Sequence, residues 1–311
     1  MKILLQFPEG LKQEALAYAA KYEKEGHEVY LSASPCYGAC DLALDEARWI
    51  SADKLIHFGH AKFMKKVLDM PVEYIEYHLD FPTESLSTAL ESLKPYSKIA
   101  LGTTVQYTHK LKAIREFFES QGKTILIGKG HWAIHDAQIL GCDAIAVTQF
   151  EKEANAILFI GDGDFHSLAI DSDLPVFVFH PKSNKINQIN DQIERMRKRR
   201  KGAILKASEA NCFGIIISTK PGQFNPDYAK WAKEEVEKRG RSAALLIANE
   251  IEPTALSNFL SFDAFVTTAC SRLAEDSEEF TKPVLDMKML KDTLELIDAI
   301  NKEQAKEKRR D

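Results

Sequence analysis

The chain has 311 residues, of which 45% are hydrophobic and 28% are charged, and its formal net charge is -5 at pH 7. This composition is typical of a globular protein with a sizeable core, and the negative charge argues against direct nucleic-acid binding. No apolar run approaches the roughly 20 residues that a membrane-spanning helix needs. Because Met1 leads straight into a predicted strand and not into a signal peptide, we expect a cytoplasmic protein without a membrane segment.

Three successive thirds of the chain repeat one order of predicted elements: strand, helix, then three more strands. The first third reads MKILLQFPEG, QEALAYAAKYEKEG, HEVYLSAS, DKLIHFGH and VEYIEY. The second reads KIALGTTVQYTH, KLKAIREFFESQG, KTILIGKG, NAILFIGDGDFH and LPVFVFHP. The third reads FGIIISTKPGQF, PDYAKWAKEEVEKRG, SAALLIAN, DAFVTTAC and KPVLDM. Since parallel strands need a long crossover, this alternation predicts mainly parallel sheets covered by helices.

The repetition predicts an α/β protein of three similar small domains, each a mainly parallel sheet with flanking helices, arranged around a shared central site. We expect the domains at residues 1–95, 96–185 and 186–311. The third domain should begin with a long polar linker helix from Ile186 to Ala210. A basic run at residues 195–201 of this helix is interpreted as a solvated face, with docking of an acidic partner as the alternative.

Five cysteines in an intracellular chain of this length favour metal binding or redox chemistry over a disulfide framework. Cys36 and Cys40 form a C-x3-C pair, which is similar to the start of the CxxxCxxC loop of radical S-adenosylmethionine enzymes. The third cysteine of that loop is missing, because Ala43 occupies its position. Cys212 precedes an apolar strand and is interpreted as a small core residue.

The other cysteines are distributed one to each third: Cys40, Cys142 and Cys270. Ligands of open α/β sheets gather beyond the carboxyl ends of the strands, and Cys40 and Cys270 fall there, whereas Cys142 lies between strands. Three separately buried structural cysteines are the alternative. The distribution nevertheless suggests one metal centre to which each domain contributes a thiolate.

Polar, glycine-bearing loops at predicted strand ends favour a pocket near these cysteines. They are HFGH (57–60), GTTVQYTH (102–109), GDGDFH (161–166) and STKPGQF (218–224). GDGDFH is not a dinucleotide-binding fingerprint, because His166 stands where the last glycine would be required.

The residues resemble the Dph2-type 2-(3-amino-3-carboxypropyl)histidine synthases, which perform the first step of diphthamide biosynthesis. The resemblance covers nearly the whole chain and rests on the order and spacing of YGACD, HFGH, TTVQ, LGC, FIGDGDFH, STKPGQ and TTACSR. One departure is Ser271, which stands where the family often has proline.

The resemblance implies one [4Fe-4S] cluster, bound by one cysteine from each domain. These cysteines correspond to Cys40, Cys142 and Cys270, and the resemblance leaves Cys36 and Cys212 outside the site. Three thiolates leave one iron without a protein ligand. That iron is where S-adenosylmethionine would bind.

The implied reaction is an unconventional radical transfer. Members of the family cleave the bond between the sulfur and the γ-carbon of S-adenosylmethionine, which gives methylthioadenosine and a 3-amino-3-carboxypropyl radical equivalent. This group is added to C2 of a histidine imidazole in elongation factor 2. The chain is therefore expected to be a transferase with an electron donor and elongation factor 2 as partners, acting as a homodimer.

Individual roles follow from the loops that carry the resemblance. Asp162 and Gly163 are expected to contact the nucleoside or the methionine portion of S-adenosylmethionine, and Gln106 and Gln223 to fix its pose by hydrogen bonds. Arg272 is expected to pair with the methionine carboxylate, with a plain surface ion pair as the alternative. The three histidines His57, His60 and His166 could orient the substrate or satisfy hydrogen bonds within the fold.

Two alternatives remain open at the level of sequence. Quinolinate synthases also have three α/β domains that each donate one cysteine to a [4Fe-4S] cluster. An enzyme that condenses small molecules would therefore have the same architecture. The second alternative is a non-enzymatic metal- or ligand-binding module with structural cysteines.

Overall fold

The computed structural model describes residues 1–63, 67–275 and 279–307 of the chain. Three sheets, all built mainly of parallel strands and flanked by helices, form its framework. The predicted α/β class is confirmed. The chain divides into two compact units, residues 1–193 with two sheets and residues 194–311 with the third. The division into three domains at the predicted boundaries stays a prediction.

The first sheet is entirely parallel and has the order β2-β1-β3-β4. Its strands are β1 (Lys2–Gln6), β2 (Glu28–Leu31), β3 (Lys54–Phe58) and β4 (Val72–Ile75). Helices α1 (Ala15–Lys24) and α2 (Leu44–Trp49) cover it. Ile3 and Leu5 pack in a cluster with Ala15 of α1, whereas Leu4 packs in another cluster with Ala47 of α2. Alternate residues of β1 thus face opposite helices, which explains its unbroken apolar run.

The second sheet has the order β6-β5-β7-β8-β9. Its strands are β5 (Lys98–Thr103), β6 (Thr124–Leu126), β7 (Ala156–Ile160), β8 (Val176–His180) and β9 (Lys185–Gln188). Its helices are α3 (Ser87–Ser92), α4 (Leu111–Ser120) and α5 (Ile145–Thr148). Every residue of β7 is buried, as expected for a central strand covered on both faces. Strand β9 pairs antiparallel with β8 and was not predicted from the sequence.

The third sheet is again entirely parallel, with the order β11-β10-β12-β13. Its strands are β10 (Cys212–Ser218), β11 (Ser242–Ala248), β12 (Ala264–Thr267) and β13 (Val284–Leu285). The helices from here on are α6 (Asn190–Ser208), α7 (Pro226–Glu237), α8 (Pro253–Ser257), α9 (Arg272–Glu275) and α10 (Met287–Glu307).

Helix α6 corrects one expectation, because it begins at Asn190 and not at Ile186. Ile186 instead lies in β9, where it pairs with Phe179 of β8 and packs against the core of the second sheet. The side chain of Asn190 also accepts a hydrogen bond from the backbone N–H of Val176. Tertiary pairing with β8 therefore overrides the helical tendency of the first residues of the polar segment.

The three sheets share one strand order over their first four strands. In each, the first strand in sequence lies between the second and the third, and the fourth follows the third. The carboxyl ends of the central strands consequently lead into loops at one edge of each sheet, which is where open α/β sheets bind ligands. No helix among the described residues combines the length and the apolar character that crossing a membrane requires.

Candidate functional site

A pocket of about 290 Å³ lies within the first unit. It is lined by loops that follow the carboxyl ends of strands in both sheets of this unit. The lining residues on which the site depends are Gly59, His60, Gln106, Asp162, His166 and Lys182. A pocket at the carboxyl ends of parallel strands is the usual ligand site of α/β proteins, and this one is near the lower size limit for small-molecule sites.

Two of the residues predicted to hold S-adenosylmethionine, Gln106 and Asp162, line this one pocket. The side-chain amide of Gln106 donates a hydrogen bond of 3.4 Å to the carbonyl of Gly59, so the loops after β5 and β3 are joined. The carboxylate of Asp162 accepts a hydrogen bond from the phenol of Tyr107 and another, of 3.2 Å, from the backbone N–H of Lys182. The orientation of the carboxylate is thus fixed by the fold.

Glycine is required at two places around the pocket. Gly163 has φ +79° and Gly59 has φ +83°, a left-handed conformation that other residues adopt only at a cost. A Cβ atom on Gly59 would also lie 2.9 Å from Cγ of Pro8. A Cβ atom on Gly163, which follows Asp162 directly, would meet no atom within 4 Å. Glycine is therefore needed at this position for the backbone conformation alone.

A second group of chemically active side chains lies beside the pocket and consists of Cys36, His57 and His60. One ligand atom of each lies within 4.8 Å of those of the other two. Nε2 of His57 is 3.0 Å from Nδ1 of His60, and Nδ1 of His57 is 2.9 Å from Oε1 of Gln6. Sequence reasoning left Cys36 outside any site, and only the HFGH string drew attention to the two histidines.

Burial keeps the three side chains of this group uncharged. It lowers the pKa of His57 well below the usual range, with the neighbouring His60 as a further cause. It also lowers the pKa of His60 to about 4 and, together with the nearby Asp41 carboxylate, raises the pKa of the Cys36 thiol to about 12.

Cys40 is half-buried and lies in the loop between β2 and α2. The main chain of this loop is held by Gln6, whose amide donates to the carbonyl of Asp41 at 2.7 Å. A Cβ atom on Gly38 would lie 3.7 Å from the sulfur of Cys40, so the glycine leaves the sulfur accessible from that side.

Cys142 is exposed at the tip of a tight turn between β6 and α5. The turn is closed by two backbone hydrogen bonds between Leu140 and Asp143, of 2.9 and 3.1 Å. The buried carboxylate of Asp143 accepts hydrogen bonds from the backbone N–H groups of Trp132 and Ile145, which fixes the turn to the start of α5. The turn therefore presents Cys142 on a rigid support.

The remaining predicted residues, Cys270, Arg272 and Gln223, belong to the second unit. Cys270 is half-buried between β12 and α9, and Gln223 is buried in the loop after β10. The side-chain amide of Asn225 donates to the carbonyl of Gln223 at 3.2 Å and to that of Thr268 at 3.0 Å. The loops after β10 and β12 are thereby joined.

Arg272 is only 6% exposed and forms an ion pair with Glu275, which also pairs with Arg200 of α6. The expected alternative of a plain surface ion pair is therefore wrong, because both side chains are buried. Arg200 belongs to the basic run of α6, so this member of the run contributes to the fold. Sequence reasoning also missed Lys220, a buried lysine in the STKPGQF loop that pairs with Glu250 at 2.6 Å.

Residues 7–302 match the family described as "Putative diphthamide synthesis protein". The chain is 36% identical over 293 residues to the 2-(3-amino-3-carboxypropyl)histidine synthase of Pyrococcus horikoshii, covering 92% of this chain and 84% of that protein. It is 29% identical to subunit 1 of the chicken (Gallus gallus) enzyme, covering 91% of this chain and 70% of the relative.

The fold agrees with a solved structure described as "Crystal structure of Dph2 from Pyrococcus horikoshii with 4Fe-4S cluster". The TM-score is 0.86 at 36% identity, covering 95% of this chain and 86% of that one. The resemblance drawn from the motifs is thus confirmed by both sequence and fold. The chain belongs to the diphthamide synthesis protein family, together with the 2-(3-amino-3-carboxypropyl)histidine synthases.

Proposed function

We propose that this protein transfers the 3-amino-3-carboxypropyl group of S-adenosylmethionine to C2 of a histidine imidazole in elongation factor 2, with methylthioadenosine as the by-product. The observation that carries the proposal is the match, over nearly the whole chain, to relatives named for this synthase activity. The pocket at the carboxyl ends of the strands supports the proposal, because two of the expected S-adenosylmethionine contacts, Gln106 and Asp162, line it.

The thiols of Cys40, Cys142 and Cys270 are proposed as the ligands of a [4Fe-4S] cluster. The donor set suits this group, because thiolates are the usual ligands of such clusters. Each sulfur is carried by a loop of a different sheet, and none of the three residues is fully buried. When bound, the cluster would supply the electron that cleaves the sulfur to γ-carbon bond of S-adenosylmethionine.

The group Cys36, His57 and His60 is a poor fit for the same cluster. It offers one thiolate and two imidazoles, all within 4.8 Å of one another. In a four-iron cluster the ligands bind different irons, whereas so compact a set suits a single ion. The proposal therefore keeps Cys36 outside the cluster.

The pocket residues are proposed to bind and orient S-adenosylmethionine. Asp162, held by Tyr107 and by the backbone of Lys182, offers a fixed acceptor to hydroxyl or ammonium groups. The left-handed backbone at Gly163 allows the loop after β7 to pass close to the ligand. Gln106 would contribute a hydrogen bond from its half-buried amide.

Gln223 and Arg272 are proposed as further contacts from the second unit. Arg272 would bind the methionine carboxylate through its guanidinium group, which has five donors and so serves Glu275 at the same time. Gln223 is held in place through its backbone, whose N–H donates to the carbonyl of Lys220 at 2.9 Å.

The remaining partners follow from the proposed reaction. An electron donor has to reduce the cluster, elongation factor 2 is the protein substrate, and we expect a cytoplasmic homodimer that uses neither a membrane nor nucleic acid. Of the basic run in α6, Arg195, Lys198, Arg199 and Lys201 are exposed. These four are the residues to reverse in charge when docking of elongation factor 2 is tested, because Arg200 is needed for the ion pair with Glu275.

One experiment tests the central proposal. The cluster is reconstituted anaerobically, reduced, and given S-adenosylmethionine and elongation factor 2; the nucleoside product is then identified by chromatography and the modified histidine by mass spectrometry. We expect methylthioadenosine and a histidine carrying the 3-amino-3-carboxypropyl group. Deoxyadenosine as the main product, or no turnover by cluster-loaded protein, would contradict the proposal.

A further inference from the structure

The group formed by Cys36, His57 and His60 has the composition of a mononuclear metal site. A thiol and two imidazoles are the ligands that zinc and related divalent ions prefer. Their nearest ligand atoms lie within 4.8 Å of one another, and the two imidazole nitrogens are only 3.0 Å apart. The three residues meet at the carboxyl edge of the first sheet, since Cys36 lies in the loop after β2, His57 near the end of β3 and His60 in the loop after β3.

Hydrogen bonds around the group decide which nitrogen of His57 carries the proton. The amide nitrogen of Gln6 donates to the carbonyl of Asp41 at 2.7 Å, and its oxygen Oε1 accepts from the backbone N–H of Ala43 at 3.1 Å. Because both bonds fix Oε1 as an acceptor, Nδ1 of His57, at 2.9 Å, has to be the donor. The lone pair of neutral His57 is therefore on Nε2, the nitrogen that faces His60.

This arrangement is that of an oriented metal ligand. Histidines that bind metals usually donate their other ring N–H to a carbonyl or carboxylate oxygen, which fixes the tautomer and turns the free nitrogen toward the ion. Gln6 supplies that oxygen here and is itself only 1% exposed. The sulfur of Cys36 is also held in place, because it accepts a hydrogen bond from the backbone of Gly38.

Burial of the group favours binding of a metal cation over protonation of its side chains. His57 is fully buried and Cys36 is 4% exposed, so a charge on either residue alone would be costly in the absence of a counter-charge. A divalent ion provides the counter-charge for a thiolate and uses both imidazoles in their neutral form. A hydrogen bond between the two imidazole rings would explain why the histidines lie together. It would not explain why the thiol of Cys36 lies beside them.

We propose that Cys36, His57 and His60 bind one divalent metal ion of the zinc class, separate from any iron–sulfur cluster. Three protein ligands leave one position of a tetrahedral ion for water or for a molecule in the pocket that His60 lines. Cys36 and Cys40 share one loop, so the ion would also fasten the loop that carries the first proposed cluster ligand to strand β3. The site does not depend on the proposed reaction, because none of its ligands belongs to the proposed cluster.

Cobalt binding to the full chain tests the site, because Co²⁺ replaces zinc and gives absorption bands that report thiolate ligands and tetrahedral geometry. The starting protein carries Cys40→Ser, Cys142→Ser and Cys270→Ser, so that the proposed cluster ligands contribute no signal. We expect one Co²⁺ per chain with a thiolate-to-metal charge-transfer band. The band should disappear on addition of Cys36→Ser and persist on addition of Cys212→Ser, the matched control.

The roles of the two histidines are tested by measuring the affinity of variants for Co²⁺. His57→Ala and His60→Ala should each weaken Co²⁺ binding at least about tenfold, since each removes a direct ligand. Far-UV circular dichroism checks the fold of every variant. If the multiple variant does not fold, the zinc content of the wild-type protein is compared with that of the single variant Cys36→Ser by elemental analysis.

The results separate this site from the transferase proposal. A protein that takes up no Co²⁺ and contains no zinc, or a charge-transfer band that survives Cys36→Ser, overturns the metal site. Neither result bears on the iron content of the wild-type protein or on its nucleoside product. Conversely, a failed transferase assay leaves the cobalt spectrum unchanged.

Discussion

The phenol of Tyr107 donates a hydrogen bond to the carboxylate of Asp162, and both residues line the pocket of the first unit. Tyr107 follows β5 and Asp162 follows β7, which are neighbours in the second sheet, so the bond joins two adjacent strand ends. Burial and the Asp162 carboxylate both raise the pKa of the phenol, which therefore stays a donor across the physiological range. The pair holds one of the proposed S-adenosylmethionine contacts in a single orientation.

Replacing Tyr107 by Phe is expected to raise KM for S-adenosylmethionine about tenfold and to change kcat less. The ring and its packing remain, whereas the hydrogen bond to a charged group, typically worth about 1.5–3 kcal/mol, is lost. The measurement is the rate of methylthioadenosine formation over a series of S-adenosylmethionine concentrations. Tyr30→Phe is the control, because the phenol of Tyr30 is exposed and bonds to Glu28. An unchanged KM for Tyr107→Phe would remove the pair from the binding site.

Single replacements of Cys40, Cys142 and Cys270 by Ala are each expected to abolish or strongly reduce cluster binding, because each removes one of three protein ligands. Iron and acid-labile sulfide are measured after anaerobic reconstitution. Cys36→Ala and Cys212→Ala should keep their iron. Iron loss on replacing Cys36 that equals the loss on replacing Cys40 would show that the wrong cysteine of the first loop had been assigned.

Replacing Glu275 by Gln is expected to lower the free energy of unfolding by about 3 kcal/mol, because it removes the carboxylate between the buried Arg272 and the partly buried Arg200. The shift is read from thermal and urea unfolding of the full chain. The matched control is Glu237→Gln on α7, where the pair with Lys233 at 3.6 Å is exposed and should contribute less than about 1 kcal/mol. Equal effects of the two replacements would contradict the structural role assigned to Glu275.

Replacing Gly59 by Ala should destabilise the chain more than replacing Gly26 by Ala. Both glycines have a left-handed backbone, with φ +83° and +87°, so both variants carry a strain of about 1 kcal/mol. Only at Gly59 would the new Cβ meet Pro8, at 2.9 Å, which adds about 1–3 kcal/mol of overpacking. The difference between the two melting temperatures measures the clash. Identical melting temperatures would show that the loop after β1 moves aside freely.

Much of the fold could be predicted from the sequence. The apolar runs that become β1, β5 and β10 are each followed by a helical segment and a glycine, and this local pattern recurs three times. Periodicity and turn residues act over a few positions, so they can be seen without a structure. Strand β9 could not be predicted in this way, because its segment is polar and becomes a strand only by pairing with β8.

The sequence by itself determined the α/β class, the repeated order of elements, the family and the loops in which the cysteines lie. Only the tertiary structure decided which side chains meet: Gln106 and Asp162 in one pocket, and Cys36 with His57 and His60 beside it. The physical reason is the parallel sheet, whose register brings the ends of strands that are distant in sequence to one edge. Contacts across that edge depend on strand order and burial, neither of which is encoded in any short stretch of residues.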